Sequence, residues 1–404
     1  MLHLMNDYDY ELPPERIATA PLAQRDGSKM LVYKNSAIQD DTFYHLPHHL
    51  PPNALLVLNN TRVIEARILF EKPTGGVIQI FLLEPFEPME RAMNQTHSVQ
   101  WRCLIGGASK WSHGQVLQKP VIVNHVATVL EAVYIKKEED SFVVGLRWTG
   151  ALLFADVLHA AGAVPLPPYI KRNASIEDAE RYQTVFAAHK GSVAAPTAAL
   201  HFTHEVLKKL QAKQIETSYI TLHVGAGTFK PVKTETIANH QMHAEHFIVT
   251  LQFLQQLVKA ETIIAVGTTS LRTLESLHWL GVKLLLHGNL KKFELSQWEA
   301  YDLAHHKFSY AESIAALIEH LKNTTGNELH CQTSLLIVPG YSFKSASVLI
   351  TNFHQPRSTL LLLIAAFVGD DWKKIYTHAL QNQYRFLSYG DSSLLSPLSP
   401  GGGT

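Results

Sequence analysis

Cysteine is almost missing from this 404-residue chain, which holds only Cys103 and Cys331. Two thiols cannot build a disulfide framework or a four-cysteine metal site. An excess of charge of one sign is missing too. Lys plus Arg and Asp plus Glu each number 35, so the formal net charge is zero and no global positive field favours nucleic acid. A local basic patch stays open, because phosphates are neutralised locally. Long apolar runs are absent. The longest, Leu360 to Val368, falls far short of the roughly 20 residues that span a bilayer. Met1 to Leu12 is acidic and does not read as a secretory leader. A cytoplasmic protein with no membrane association is expected. No Walker loop and no Gly-x-Ser-x-Gly elbow occur, and Gly225-Ala226-Gly227 lacks the third glycine of a dinucleotide fingerprint.

What is present is a core-forming composition, 46% apolar and 17% charged, with 23 histidines able to titrate near neutrality. The length suggests two or three domains. From about Val63 to Leu146, short β-branched runs such as Val77 to Leu83 and Val121 to Val123 alternate with Gly75-Gly76, Gly106-Gly107 and Gly114. That rhythm predicts a small β-barrel or sandwich. Elsewhere strands and helices alternate. Strands are expected at Leu55 to Leu58, Tyr219 to Val224, Ile263 to Val266, Val282 to Leu286 and Leu335 to Val338. Helices are expected at 151–161, from the Thr203 cap to Gln214, at 250–260, from Ser270, at 311–321 and at 370–382. The expected fold class is α/β: a mostly parallel sheet with helices on both faces, plus an inserted small antiparallel β-barrel domain. Residues 1–62 and 147–395 would form the α/β catalytic domain, 63–146 the barrel, and 396–404 a disordered tail.

Small and polar residues gather just after apolar strands, where open α/β sheets bind ligands. Val266-Gly267-Thr268-Thr269-Ser270 places hydroxyls at a helix start, suited to a carboxylate or ribose oxygen, or simply to capping. Leu222-His223-Val224-Gly225-Ala226-Gly227 places a histidine beside glycines. The run from Gly191 to Thr203 fits a loop wrapped on a flat ligand or a packing turn. Leu349 to Thr359 again reads strand, polar turn, helix. Tyr384-Arg385-Phe386 alternates aromatic and basic residues, as a nucleic-acid contact or a structural strand would. His240-Gln241-Met242-His243-Ala244-Glu245-His246 follows neither zincin order, and suits acid–base work better than metal.

Together these segments resemble the S-adenosylmethionine:tRNA ribosyltransferase-isomerase family of queuosine biosynthesis. Asp9 to Pro14, Asn59 to Val63, Pro165 to Ile170 and Arg181 to Phe186 match as well, in the family's order, from about residue 7 to 395. The resemblance implies an α/β domain with an inserted barrel. It implies S-adenosylmethionine consumed as ribosyl donor, tRNA bearing 7-aminomethyl-7-deazaguanine at the wobble position as acceptor, and epoxyqueuosine-tRNA, adenine and methionine as products. No cofactor and no metal are required, and a monomer is expected. On this resemblance His243 with Glu245, or else His223, would move protons. Thr268, Thr269 and Arg272 would hold the methionine or ribose part. Ser192, Pro196, Thr197, His201 and Phe202 would line the adenosine or base pocket, beside Gly225 and Gly227. Asn352 and His354 would face the same crevice. Lys171, Arg172, Arg181, Arg357 and Arg385 would meet tRNA phosphates. The chain departs from the family at Leu104 to Trp111, at Leu285 to Asn327 and at Ser392-Ser393. Two other classes remain: a hydrolase with metal on His240, His243 and Glu245, and a non-catalytic tRNA-binding paralogue.

Overall fold

The computed structural model describes residues 4–112, 114–139, 141–225, 234–324 and 326–397. Gly227 and residues 398–404 of the expected tail lie outside the described residues.

Ten strands form one mixed, mostly parallel sheet. Their order is Phe293–Leu295, Glu328–Thr333, Glu245–Thr250, Glu216–His223, Leu55–Asn59, Ile263–Val266, Val348–Asn352, Ser392–Leu395, Lys29–Lys34 and Ala37–Thr42. The central four, from Glu216–His223 to Val348–Asn352, run parallel. Leu55–Asn59 explains why: it is apolar at nearly every position, so both faces must be covered. Leu55 and Val57 pack with Leu254, Leu257, Leu271 and Leu274 of helices Leu251–Lys259 and Thr268–His287. Leu56 and Leu58 turn to the other side, onto Phe202, Val206 and Leu210 at helix His204–Ala212. Thr203 caps that helix through the Val206 amide, as its sequence predicts.

The second sheet is antiparallel and curves into a half-barrel. Its order is Gly162–Ala163, Arg67–Glu71, Val77–Pro85, Ser98–Gly106, Phe142–Arg147, Val126–Lys137 and Val116–Val123. Alternate residues such as Ile78, Ile80 and Leu82 are buried, so one face makes a core and the other meets solvent. Two side-chain amides bind the link between the sheets. Asn59 accepts from the Leu222 and Thr61 amides and donates to the Leu222 carbonyl. Gln183 accepts from the Val63 amide and donates to its carbonyl.

Two expected strands are different. Val282 to Leu286 lies inside helix Thr268–His287. The helix is buried on all sides as far as Val282 and again at Leu284, while Leu285 and Leu286 are exposed, so the segment shows no clean helical period that would separate it from a strand. Leu335 to Val338 belongs to no strand, its place in the sheet being taken by Glu328–Thr333. Its polar groups are met instead by the Gln297 carbonyl and the Tyr301 hydroxyl. Among the described residues no helix is long and apolar enough to cross a membrane.

Candidate active site

A cleft opens at the carboxyl ends of the central parallel strands, the position where such sheets bind ligands. It encloses about 790 Å³ counting its mouth. One wall is Ala194, Ala195, Pro196, Thr197 and Ala198. The floor is Val224, Gly267, Thr268 and Thr269, and the far wall runs from Thr351 to Gln355 with Ser358, Leu387, Ser388 and Tyr169. No Asp, Glu, Lys or Arg is among these lining residues.

Local chemistry builds each wall. Gly267 sits at φ +92°, a conformation that strains other residues, and lets helix Thr268–His287 begin directly from strand Ile263–Val266. No side chain caps that helix, so the first-turn amides have no helical acceptor. The Ala194 wall is held by Ser192, whose hydroxyl donates to the Ala194 carbonyl and accepts from the Val224 amide. Gly191 approaches so closely that a Cβ there would lie 2.6 Å from Met89 and 2.7 Å from the His223 ring.

On the far wall, Asn352 is 3% exposed. Its Nδ2 donates to the Leu387 carbonyl and lies 3.3 Å from His201 Nε2, while its Oδ1 is buried without a partner. His201 Nδ1 lies 2.9 Å from the Ser28 hydroxyl. Burial, with Arg385 and Arg25 adding positive charge, pushes His201 down to about 4, so it is neutral at pH 7. His354 is fixed on three sides. Its amide donates to the Tyr376 hydroxyl, its carbonyl accepts from Tyr10, and its Nε2 lies 3.0 Å from Thr351 Oγ1. Burial holds it down to about 3, leaving a neutral imidazole in the cleft wall.

The model of the queuosine biosynthesis protein family matches residues 5–395, nearly the whole chain and every residue lining the cleft. The chain belongs to that family. A relative from Azoarcus sp. (strain BH72), named S-adenosylmethionine:tRNA ribosyltransferase-isomerase, is 36% identical over 397 residues, 97% of each chain. A crystal structure of an S-adenosylmethionine tRNA ribosyltransferase from Thermotoga maritima is 27% identical, covering 96% of this chain and 99% of that one, with a TM-score of 0.45.

Within this family member the predicted residues divide into groups. Pro196, Thr197, Thr268, Thr269, Asn352 and His354 line the cleft. Ser192 and His201 stand one layer behind it. Phe202 is in the core, edge-on to Phe43 at 5.0 Å. Gly225 follows the cleft residue Val224 but is not itself among the lining residues. Arg272 and Glu245 form a buried ion pair beneath the Thr268 helix start. Burial lowers the guanidinium to about 10, far above neutrality, and the adjacent carboxylate favours the charged form. His223 faces Gly191 and lies 3.4 Å from Thr61 Oγ1, pushed down to about 4 by burial and by His246 and His189. His243 is exposed and outside the cleft. The metal alternative loses one ligand, since Glu245 is engaged by Arg272. Among the described residues no group of three His, Cys, Asp or Glu is placed to hold a metal ion.

The basic residues also differ from one another. Arg172 is committed to Asp178 through two hydrogen bonds of 2.5 and 2.8 Å. Lys171 is exposed, and Arg357 adopts φ 53° with its amide on the Tyr8 carbonyl. Arg181 and Arg385 converge on a recess beside the cleft. Sequence reasoning missed Tyr169, Thr351, Gln355, Ser358 and Ser388 as lining residues. Tyr169 and Ser388 meet through a 2.5 Å hydrogen bond although 219 positions apart, a pairing that no local pattern signals.

Proposed function

We propose that this chain is an S-adenosylmethionine:tRNA ribosyltransferase-isomerase. It would move the ribosyl part of S-adenosylmethionine onto 7-aminomethyl-7-deazaguanine at the tRNA wobble position and isomerise it. The products are epoxyqueuosine-tRNA, adenine and methionine. The observation that carries this reading is the family match from residue 5 to residue 395, which contains the whole cleft.

The cleft's chemistry supports the same reading. A sulfonium substrate is cationic, and no described lining side chain carries a positive charge to repel it. Its methionyl carboxylate suits the uncapped amides at Thr268 and Thr269, where the helix dipole is positive. The wall Pro196 to Ala198 offers a surface for adenine. Asn352 Oδ1, buried and unpartnered, offers an acceptor for an amino group. The sulfonium acidifies the neighbouring C5′ hydrogen, and a base must receive it. We assign that role to His354. In the tautomer whose Nε2–H donates to Thr351 Oγ1, Nδ1 carries the lone pair that takes the proton. His243, Glu245 and His223 would act only at a distance from the lining residues. The acting unit is one chain, the ten-stranded sheet and its helices forming the catalytic part and the half-barrel, with helix Phe154–Ala161 and strand Gly162–Ala163 packed on it, a module beside it.

The deciding experiment is incubation with S-adenosylmethionine and tRNA carrying 7-aminomethyl-7-deazaguanine, followed by mass spectrometry of digested nucleosides. Adenine, methionine and an epoxyqueuosine nucleoside are expected. Intact S-adenosylmethionine with folded protein would defeat the reading.

A further inference from the structure

Beside the cleft, and sharing Ser388 with it, lies a smaller recess of about 290 Å³ counting its mouth. Three guanidinium groups line it, from Arg25, Arg181 and Arg385, together with Leu22, Ser28 and His201. Their charges are poorly neutralised. Arg25 spends its hydrogen bonds on four main-chain carbonyls, of Glu180, Arg181, Gln183 and Leu200. Arg181 binds the carbonyls of Leu22 and Ala23, and its ion pair with Glu177 is long, 3.7 Å, to an exposed carboxylate. The Arg181 Nε is buried with no acceptor. Arg385 reaches Asp391 only at 3.4 Å, while that carboxylate already receives the Arg385 and Lys29 amides. Carbonyls satisfy donors but cancel no charge. The recess is therefore a preformed positive site next to a cleft that holds no charged side chain among the described residues.

We propose that this recess binds a backbone phosphate of the RNA nucleotide whose base enters the cleft. The identity of that RNA rests on the function proposed above; the oxyanion chemistry does not. A second oxyanion is available in principle, the methionyl carboxylate of S-adenosylmethionine. The uncapped Thr268 helix start inside the cleft serves that group, which leaves the arginines to the other substrate. His201 joins the two sites, touching Ser28 in the recess and Asn352 in the cleft. An RNA phosphate seated here would fix the register of its base against Asn352. Planar guanidinium groups suit phosphate oxygens better than an ammonium does.

The test uses the full chain with Arg385→Gln and Arg385→Lys. Arg385 is 28% exposed and makes one long side-chain contact, so a thermal melt should match that of the wild type. Leu22→Glu is a second probe, placing a carboxylate at the recess without removing a carbonyl partner. Affinity for an unmodified tRNA transcript is measured at several KCl concentrations, and affinity for S-adenosylmethionine with tRNA present. Arg385→Gln should flatten the salt slope by about one, the loss of one phosphate contact. Arg385→Lys should restore the slope, Leu22→Glu should weaken tRNA binding, and S-adenosylmethionine affinity should be unchanged. Unchanged slopes in Arg385→Gln, with no weakening in Leu22→Glu, would overturn the proposal. So would a loss confined to S-adenosylmethionine, which would hand the recess to the carboxylate. A flattened slope in a chain whose wild type forms no epoxyqueuosine would keep the phosphate site and remove only the proposed reaction.

Discussion

Two histidine-bearing regions of this chain have opposite characters. His240, His243 and His246 crowd seven residues of sequence beside Glu245, and look like a catalytic cluster. In the fold, His243 and His246 are exposed and Glu245 is bound to Arg272. His201 and His354 are 153 positions apart, in two separate polar segments, yet the fold brings both to the end of strand Val348–Asn352. There each is desolvated, neutral and tied to a hydroxyl. Proximity along the chain is a poor guide to chemistry, because successive residues of a strand point to opposite faces. Convergence comes from strand ends, and the strand order is set by pairing between distant segments.

The sharpest way to break this comparison is to remove the cleft histidine. His354→Ala should lower turnover by roughly 10²–10⁴-fold, the usual yield of a positioned acid–base group. The melt should stay close to wild type, since Tyr10 and Tyr376 hold the main chain of residue 354 rather than its ring. Single-turnover assays with both substrates saturating would read this directly. Turnover within threefold of wild type would remove His354 from proton transfer.

The second test concerns His201, and its readout is stability. Its folded value is about 4 against about 6.5 when unfolded, so the folded state binds fewer protons between those values. The contribution is complete above pH 6.5 and is lost as pH falls toward 4. A shift of this size is worth about 3 kcal/mol. Denaturant melts of wild type and His201→Gln, compared from pH 7 to pH 4, should show that much less acid loss in the variant. Parallel acid limbs would mean that His201 is solvated.

The sequence disclosed the fold and the floor of the cleft for one shared reason. Leu55 to Leu58 and Ile263 to Val266 are short and apolar throughout, which only a strand covered on both faces satisfies, and Gly267-Thr268-Thr269 follows one of them directly. Motif residues also gave the family, but several do structural work that their type did not reveal. Gln183 clamps Val63, Asn59 bridges to Leu222, and Ser192 staples the Ala194 wall. Each is a buried amide or hydroxyl satisfying main-chain groups where two sheets meet, a need that exists only after folding. Tyr169 and Ser388 escaped for the converse reason, since neither stands beside a strand end in sequence. The two misplaced strands were apolar runs outside the ladder: Leu335 to Val338 is buried, while Val282 to Leu286 ends in the exposed Leu285 and Leu286 of a helix.

The smallest expected effect is the most discriminating between the two histidine regions. His243→Ala touches an exposed side chain outside the cleft, and surface substitutions of this kind stay within about 0.5 kcal/mol. Turnover should therefore remain within about threefold of wild type, with an unchanged melt. The contrast matters more than either value alone. If His354→Ala is crippled and His243→Ala is not, the proton-transfer group belongs to the strand-end cleft, and the His-rich run is a solvated connection leading into strand Glu245–Thr250. If the order reverses, closure over substrate must bring residue 243 to the cleft. Glu245, two positions beyond residue 243 and fixed by Arg272, would then be the anchor of that movement, and Arg272→Ala should raise the KM for S-adenosylmethionine along with the loss of stability.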